Sequence, residues 1–160
     1  MRLKDKVAIV TGAAQGIGFG VAELFVREGA IVYLADVNGD AAAAAAAKLG
    51  SSAIGKKCDI SKKAACVQLV ADVVEEQGHV DVLVNNAGIL RTGDVLEISE
   101  EDYDAVLGVN LKGAFLLSQA AGKVMVEQEK GGSIVNMSSV NALLTIPSIL
   151  PYNVSKGGLN

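Results

Sequence analysis

Residues 7–18 read Val7-Ala8-Ile9-Val10-Thr11-Gly12-Ala13-Ala14-Gln15-Gly16-Ile17-Gly18. Four uninterrupted apolar residues at the start read as a strand buried on both faces, as in a parallel sheet covered by helices. From Gly16 to Glu28, Ile17, Val21, Leu24 and Phe25 recur at helical spacing, and Gly29 ends the helix. The glycines between strand and helix bring backbone N–H groups and a helix N-terminus to the strand end, an arrangement suited to an anion such as a pyrophosphate. The spacing is GxxxGxG, and three glycines alone also suit a tight turn with no ligand.

Outward from this stretch, short apolar runs alternate with segments of helical period, the pattern of repeated βαβ units. Ile31–Ala35 reads as a second strand, Asp40–Leu49 as an alanine-rich helix stopped by Gly50, and Ala53–Cys58 as a short third strand. Ser61 is expected to cap a helix to about Gln77, and Val80–Val84 forms a fourth strand. Glu100, Glu101 and Asp102 place carboxylates in the first turn of a helical region that runs, in two pieces, to about Glu129. Gly131-Gly132 breaks it, Ser133–Met137 is a fifth strand, and a last helix opens around Pro151 and Tyr152. Pro147 and Pro151, the only prolines, lie in the one long irregular segment, residues 145–151.

Composition limits the partners. The chain has 160 residues, 51% apolar and 20% charged, which supports one domain, residues 1–160, with a real core. Its 14 basic and 18 acidic residues leave a net charge of −4, and it has only three Phe, three Tyr and no Trp, so no basic, stacking surface for nucleic acid is expected. Cys58 and Cys66 stand eight apart beside a single histidine, which provides neither a CxxC pair nor a zinc set; two free thiols in a reducing cytosol and no metal are expected. Val7–Val10 is too short for a signal-peptide core, and charges or glycines interrupt every longer apolar run. A cytoplasmic protein with no membrane partner is therefore expected.

Asp36 sharpens the reading of the glycine turn. It ends the second strand 18 residues after Gly18, where a carboxylate can accept from both hydroxyls of an adenosine ribose and repel a 2′-phosphate. Gln15 and Val37 flank the same position and neither is basic, which favours NAD over NADP. A cap for the next helix is the plain alternative for Asp36, and the strand–turn–helix context speaks for the ribose.

A second constellation is Ser139, Tyr152 and Lys156. Tyr152 and Lys156 are four apart, so on a helix they share a face. A tyrosine titrates near 10 in water and becomes a better acid–base group where a neighbouring ammonium stabilises the phenolate. A YxxxK pair alone is equally a surface pair; its company gives it meaning.

Taken together, TGAAQGIG at Thr11–Gly18, Cys58-Asp59, Asn85-Asn86-Ala87-Gly88, Asn110, Ser138-Ser139 and Tyr152-x-x-x-Lys156 resemble the short-chain dehydrogenase/reductase family over the whole chain. The resemblance implies an α/β Rossmann-type doubly wound parallel sheet of order 3-2-1-4-5. It implies that Gly12, Gly16, Ile17 and Gly18 serve the pyrophosphate side and Asp36 the adenosine ribose. Gln15, Val37 and Ile60 would line the same site, Asp59 would take the adenine amino group, and Asn86, Ala87 and Gly88 the far ribose. Tyr152 would donate and accept the proton, and Ser139, 13 residues before it, would bind the substrate oxygen; Ser138 reads as a strand-end hydroxyl. Lys156 would lower the tyrosine's pKa and, with Tyr152, hold the nicotinamide ribose, while Asn110 would sit in a helix distortion and anchor a relay water.

The expected activity is hydride transfer between NAD(H) and a secondary alcohol or ketone. Two alternatives keep the cofactor end: a dinucleotide sensor without catalysis, against which the retained Ser139, Tyr152 and Lys156 argue, and an inactive fragment. Family members are longer, so the resemblance implies that further strands and a substrate lid lie outside these residues. It also implies that the fifth strand is left as an exposed apolar edge, and that the complete protein is a homo-oligomer, dimer or tetramer. Leu143, Leu144, Ile146, Ile149 and Leu150 hint at an apolar carbonyl substrate, with simple loop packing as the equal alternative.

Overall fold

A computed structural model describes residues 1–160. Strands β1 (Val7–Thr11), β2 (Ile31–Asp36), β3 (Ala53–Lys57), β4 (Val82–Asn85) and β5 (Ser133–Asn136) form one parallel sheet in the order β3-β2-β1-β4-β5. The chain winds from β1 towards β3, then crosses back to β4. That reversal opens a crevice between the carboxyl ends of β1 and β4, the place where open α/β sheets bind ligands.

Helices α1 (Gly16–Arg27) and α2 (Gly39–Leu49) pack one face, and α3 (Lys63–Gln77) and α5 (Ala114–Glu127) the other. Because β1 is central, its alternate side chains enter both cores: Val7 and Ile9 join Leu69, Val73 and Leu117, while Ala8 and Val10 join Ala22, Ala45 and Ala46. Each of the Val, Ile and Leu side chains contributes about 1.5–3 kcal/mol when fully buried, and each alanine methyl less. The alanine run of α2 has a packing reason. A Cβ on Gly55 of β3 would stand 2.6 Å from the backbone of Ala42 and Ala43, so helix and strand approach closely only because both are small.

Three departures from expectation have a visible physical cause. Ser61 does not cap α3, whose N-cap is Lys62; its N–H and hydroxyl both donate to Asp59 Oδ1, at 3.0 and 2.7 Å, because a carboxylate two residues back closes a local turn first. β4 begins at Val82 rather than Val80, whose N–H and C=O are both taken by the Gln128 carboxamide. The long helical region does not break in two: α4 (Glu100–Leu107) runs into α5 through a π-helical segment, Gly108–Gly113. Gly113 is the point of closest approach there, since a Cβ would meet Ile60 at 2.8 Å.

β5 bonds to β4 alone, and all four of its residues are exposed. A short 3-10 turn, Val140–Ala142, follows it and leads to α6 (Leu150–Leu159), with Pro151 in its first turn. Of the apolar residues before α6, Ile149 is buried whereas Leu143, Leu144 and Ile146 are exposed, so packing accounts for only the first. No helix is long and apolar enough to cross a membrane.

Candidate active site

A cleft of about 480 Å³ opens at the carboxyl ends of the central strands, lined by Gly12, Gln15, Ile17, Asp36, Val37, Asp59, Ile60, Asn86, Ala87 and Gly88. These ten residues come from four separate motifs. Gly12 stands at φ 62, and a Cβ on it would lie 2.8 Å from Ala87 Cα, so no other residue lets the two loops meet. Gly16, at φ 59, has no atom within 4 Å of where its Cβ would be, leaving backbone open to a ligand. Gly18 is buried beneath the turn, against the Gly12 carbonyl and the Asn86 side chain; it lets α1 close on the turn and is not part of the cleft wall.

The walls combine polar and apolar surface. Asp36 Oδ2 accepts from Ala14 N–H at 3.2 Å and Oδ1 from Asn38 N–H at 3.1 Å, which fixes the carboxylate at the end of β2 with further acceptor capacity. Ile17 and Val37 are 68% and 64% exposed, two apolar side chains facing one cleft. A ring system between them would cover surface that is otherwise wet, so these residues fit a dinucleotide. Cys58, Ala35, Ile89 and Val109 also line the cleft and were not anticipated. Cys58 and Cys66 are both buried and unpaired by a disulfide; the hydrogen bond with Cys66 and burial push the Cys58 thiol up, which keeps it neutral.

A buried hydroxyl ties the turn to β4. Thr11 Oγ1 accepts from the N–H groups of Asn86 and Ala87, each at 3.0 Å, and donates to Val84 O at 3.3 Å. Asn86 Nδ2 returns to Thr11 O at 2.9 Å and Gly12 O at 3.3 Å. Thr11 carried no signal of this role, because its partners are some 75 residues away in the chain.

The second constellation meets this cleft at Gly88. The position of a Cβ on Gly88 lies 3.4 Å from Asn110 Oδ1 and 3.8 Å from Lys156 Nζ. Asn110, buried in the π segment, accepts from Ile89 N–H at 2.8 Å and donates to Ile89 O at 3.0 Å and Ser155 Oγ at 3.1 Å. Lys156 is 4% exposed; its Nζ donates to Met137 O at 2.6 Å and sits 5.7 Å from the centre of the Tyr152 ring, and burial lowers its pKa from the ordinary lysine value. Ser139 caps the 3-10 turn, its Oγ accepting from Asn141 N–H at 3.2 Å, and Ser138 Oγ faces Lys156 O at 3.5 Å. Tyr152 is half-buried on α6, which packs against the 3-10 turn and the π segment.

A parallel sheet reversing at β1 and β4, a glycine cradle and a Tyr–Lys helix beside it together define a Rossmann-type α/β scaffold with its cleft at the reversal point. The chain belongs to the short chain dehydrogenase family, whose model matches residues 6–160. It is 44% identical over 162 aligned positions to D-threitol dehydrogenase of Mycolicibacterium smegmatis, covering 99% of this chain and 62% of that protein. It is 40% identical over 139 residues to sorbitol dehydrogenase of Cereibacter sphaeroides, covering 87% of this chain and 54% of the relative. The crystal structure of a short chain dehydrogenase/reductase from Burkholderia phymatum in complex with NAD superposes with a TM-score of 0.95 at 35% identity, covering 99% of this chain and 58% of that one. The chain thus spans 54–62% of the length of these relatives.

Proposed function

We propose that residues 1–160 form one unit carrying the cofactor-binding and proton-transfer machinery of an NAD(H)-dependent oxidoreductase acting on a secondary alcohol or its ketone. The observation that carries this reading is the position of Gly88, which lines the cleft and on which a Cβ would lie within 4 Å of both Asn110 and Lys156. The relatives named for sorbitol and D-threitol, and the neighbour in complex with NAD, support it.

In this reading Gly12, Gly16 and Ile17 approach the pyrophosphate, Asp36 accepts from the adenosine ribose, Asp59 and Ile60 flank the adenine, and Asn86–Gly88 lie along the far ribose. When bound, the nicotinamide supplies or accepts the hydride. The chain's own residues manage the proton: Tyr152 transfers it at the substrate oxygen, Ser139 holds that oxygen, and Lys156 supplies positive charge beside the phenol. Asn110 holds Ile89 and, through it, the floor on which Gly88 and Lys156 meet. A cytoplasmic homo-oligomer belongs to the same proposal; Phe115 and Val126, 59% and 79% exposed on α5, support assembly. The test is titration of the protein with NAD+ and NADP+, followed by fluorescence or calorimetry. NAD+ binds and NADP+ binds at least about tenfold more weakly, whereas equal binding of the two, or none, overturns the reading.

A further inference from the structure

Ser155 stands between Tyr152 and Lys156 in α6, and it and Asn110 are 0% and 1% exposed. Its hydroxyl donates to the Tyr152 carbonyl at 2.8 Å and accepts from Asn110 Nδ2 at 3.1 Å. A helical serine commonly bonds back to the preceding turn, so the first contact assigns no role by itself. It does commit the only proton of the hydroxyl, and the oxygen therefore meets Asn110 as an acceptor. Asn110 is committed in the same way: Oδ1 takes the Ile89 N–H, and Nδ2 divides its two protons between the Ile89 carbonyl and Ser155. Ile89, Asn110, Ser155 and the Tyr152 carbonyl thus form one directional chain of hydrogen bonds, running from the floor of the cofactor cleft to the turn that carries the phenol.

Two other contacts seat α6, and neither is as exacting. A Cβ on Gly158 would lie 3.0 Å from Leu111 Cδ2 in the π segment, an apolar contact with no preferred direction. Lys156 Nζ reaches Met137 O through a flexible four-carbon stem. A small slide or rotation of α6 preserves both, whereas it parts Ser155 from Asn110 and leaves a buried amide proton unpaired, at a cost of about 1–3 kcal/mol. We infer that Ser155 is a positioning residue for proton transfer, fixing the height and rotation of α6 on the segment that holds Ile89 and Gly88. The inference rests on the proposed role of Tyr152, whose placement it governs.

The experiment is Ser155→Ala, which deletes one oxygen, suits a helix and leaves Asn110 both of its bonds to Ile89. With the cofactor floor intact, NAD+ affinity and the KM for butan-2-ol stay within about twofold. The single-turnover rate of NADH formation from butan-2-ol falls by about 10–100-fold, the size of effect expected when a reacting group is misplaced by about 1 Å. Amide exchange read by mass spectrometry becomes about tenfold faster in residues 153–159 and is unchanged in β1. An unchanged rate overturns the inference whatever the exchange shows. So does a loss shared among rate, KM and NAD+ affinity, or faster exchange in β1 as well as α6, since each marks a general loss of structure. Faster exchange confined to α6, with no turnover of butan-2-ol by the unmodified protein, leaves the seating by Ser155 assigned and overturns the dehydrogenase reading instead. Turnover by the unmodified protein, with rate and α6 exchange both untouched by the substitution, does the reverse.

Discussion

Asn110 clasps Ile89 by both of its peptide groups: the side-chain oxygen accepts the Ile89 N–H at 2.8 Å and the side-chain nitrogen donates to the Ile89 carbonyl at 3.0 Å. Ile89 follows Gly88 and lines the same cleft, so a side chain of the π segment, 21 residues downstream, holds the loop on which cofactor and proton chemistry would meet. A π insertion rotates the following turn relative to a regular helix, and such insertions gather at functional sites.

Replacing Asn110 by Ala removes three hydrogen bonds and leaves the half-buried Ile89 N–H and C=O without their partner. A loss of about 2–4 kcal/mol is expected, read as a lower urea midpoint, together with weaker NAD+ binding. An unchanged midpoint would remove Asn110 from its bracing role.

Asp36→Ala deletes the acceptor at the end of β2 and the negative charge that opposes a 2′-phosphate. NAD+ affinity falls by about tenfold or more and NADP+ affinity rises, so the ratio between them narrows from both sides. Competition binding with the two dinucleotides checks this. A ratio equal to that of the unmodified protein would show that Asp36 serves only as the acceptor for Ala14 and Asn38.

Tyr152→Phe keeps the ring and the helix while deleting one oxygen. Turnover of a secondary alcohol drops by about 10²–10⁴ while NAD+ still binds. A rate near that of the unmodified protein would exclude the phenol from proton transfer.

Burial lowers the Lys156 pKa from its ordinary 10.5. Between the lowered folded value and 10.5 the unfolded chain binds more protons than the folded one, so this residue makes stability rise with pH across that window. Lys156→Met should abolish that contribution. The check is the difference in urea midpoint between the two proteins from neutral pH to about 10.5. Tyr33, pushed up to about 12 mainly by burial, loses its stabilising contribution as pH rises beyond 10, but it does so in both proteins and cancels. A constant difference across the window would contradict the buried, charged state of Lys156.

Asp81 guards the opposite end of the sheet. Burial pushes its pKa up, but donation from Lys6 Nζ at 2.7 Å and Val7 N–H at 2.9 Å and the charge of Lys6 leave it lowered overall. A depressed carboxylate stabilises the fold above its unfolded pKa, 3.8, and that contribution is lost as pH falls through the lower folded value. Asp81→Asn costs about 1.5–3 kcal/mol at neutral pH, the range for hydrogen bonds to a charged group, and the half-exposed Lys6 keeps it near the low end. The deficit shrinks in acid. A deficit independent of pH would point to packing alone.

The order and kind of the elements were determined by the sequence itself, because buried runs, helical period and turn residues act over a few neighbours. The two carboxyl-end motifs, Gly12–Gly18 and Asp36, were legible for the same reason: strand, turn and helix follow one another without interruption. The boundaries at Ser61 and Val80 were not, since Asp59 and Gln128 compete for their polar groups through local and distant hydrogen bonds that propensity does not register. Only the tertiary structure placed Thr11 beneath Asn86 and Ala87, brought Gly88 between Asn110 and Lys156, and left Asn153 Oδ1 without a donor. The contacts of Thr11 and Gly88 join residues from 22 to 76 positions apart, and which of them form depends on how the packed sheet and helices close, a choice settled by the burial of both faces together and not by any one segment.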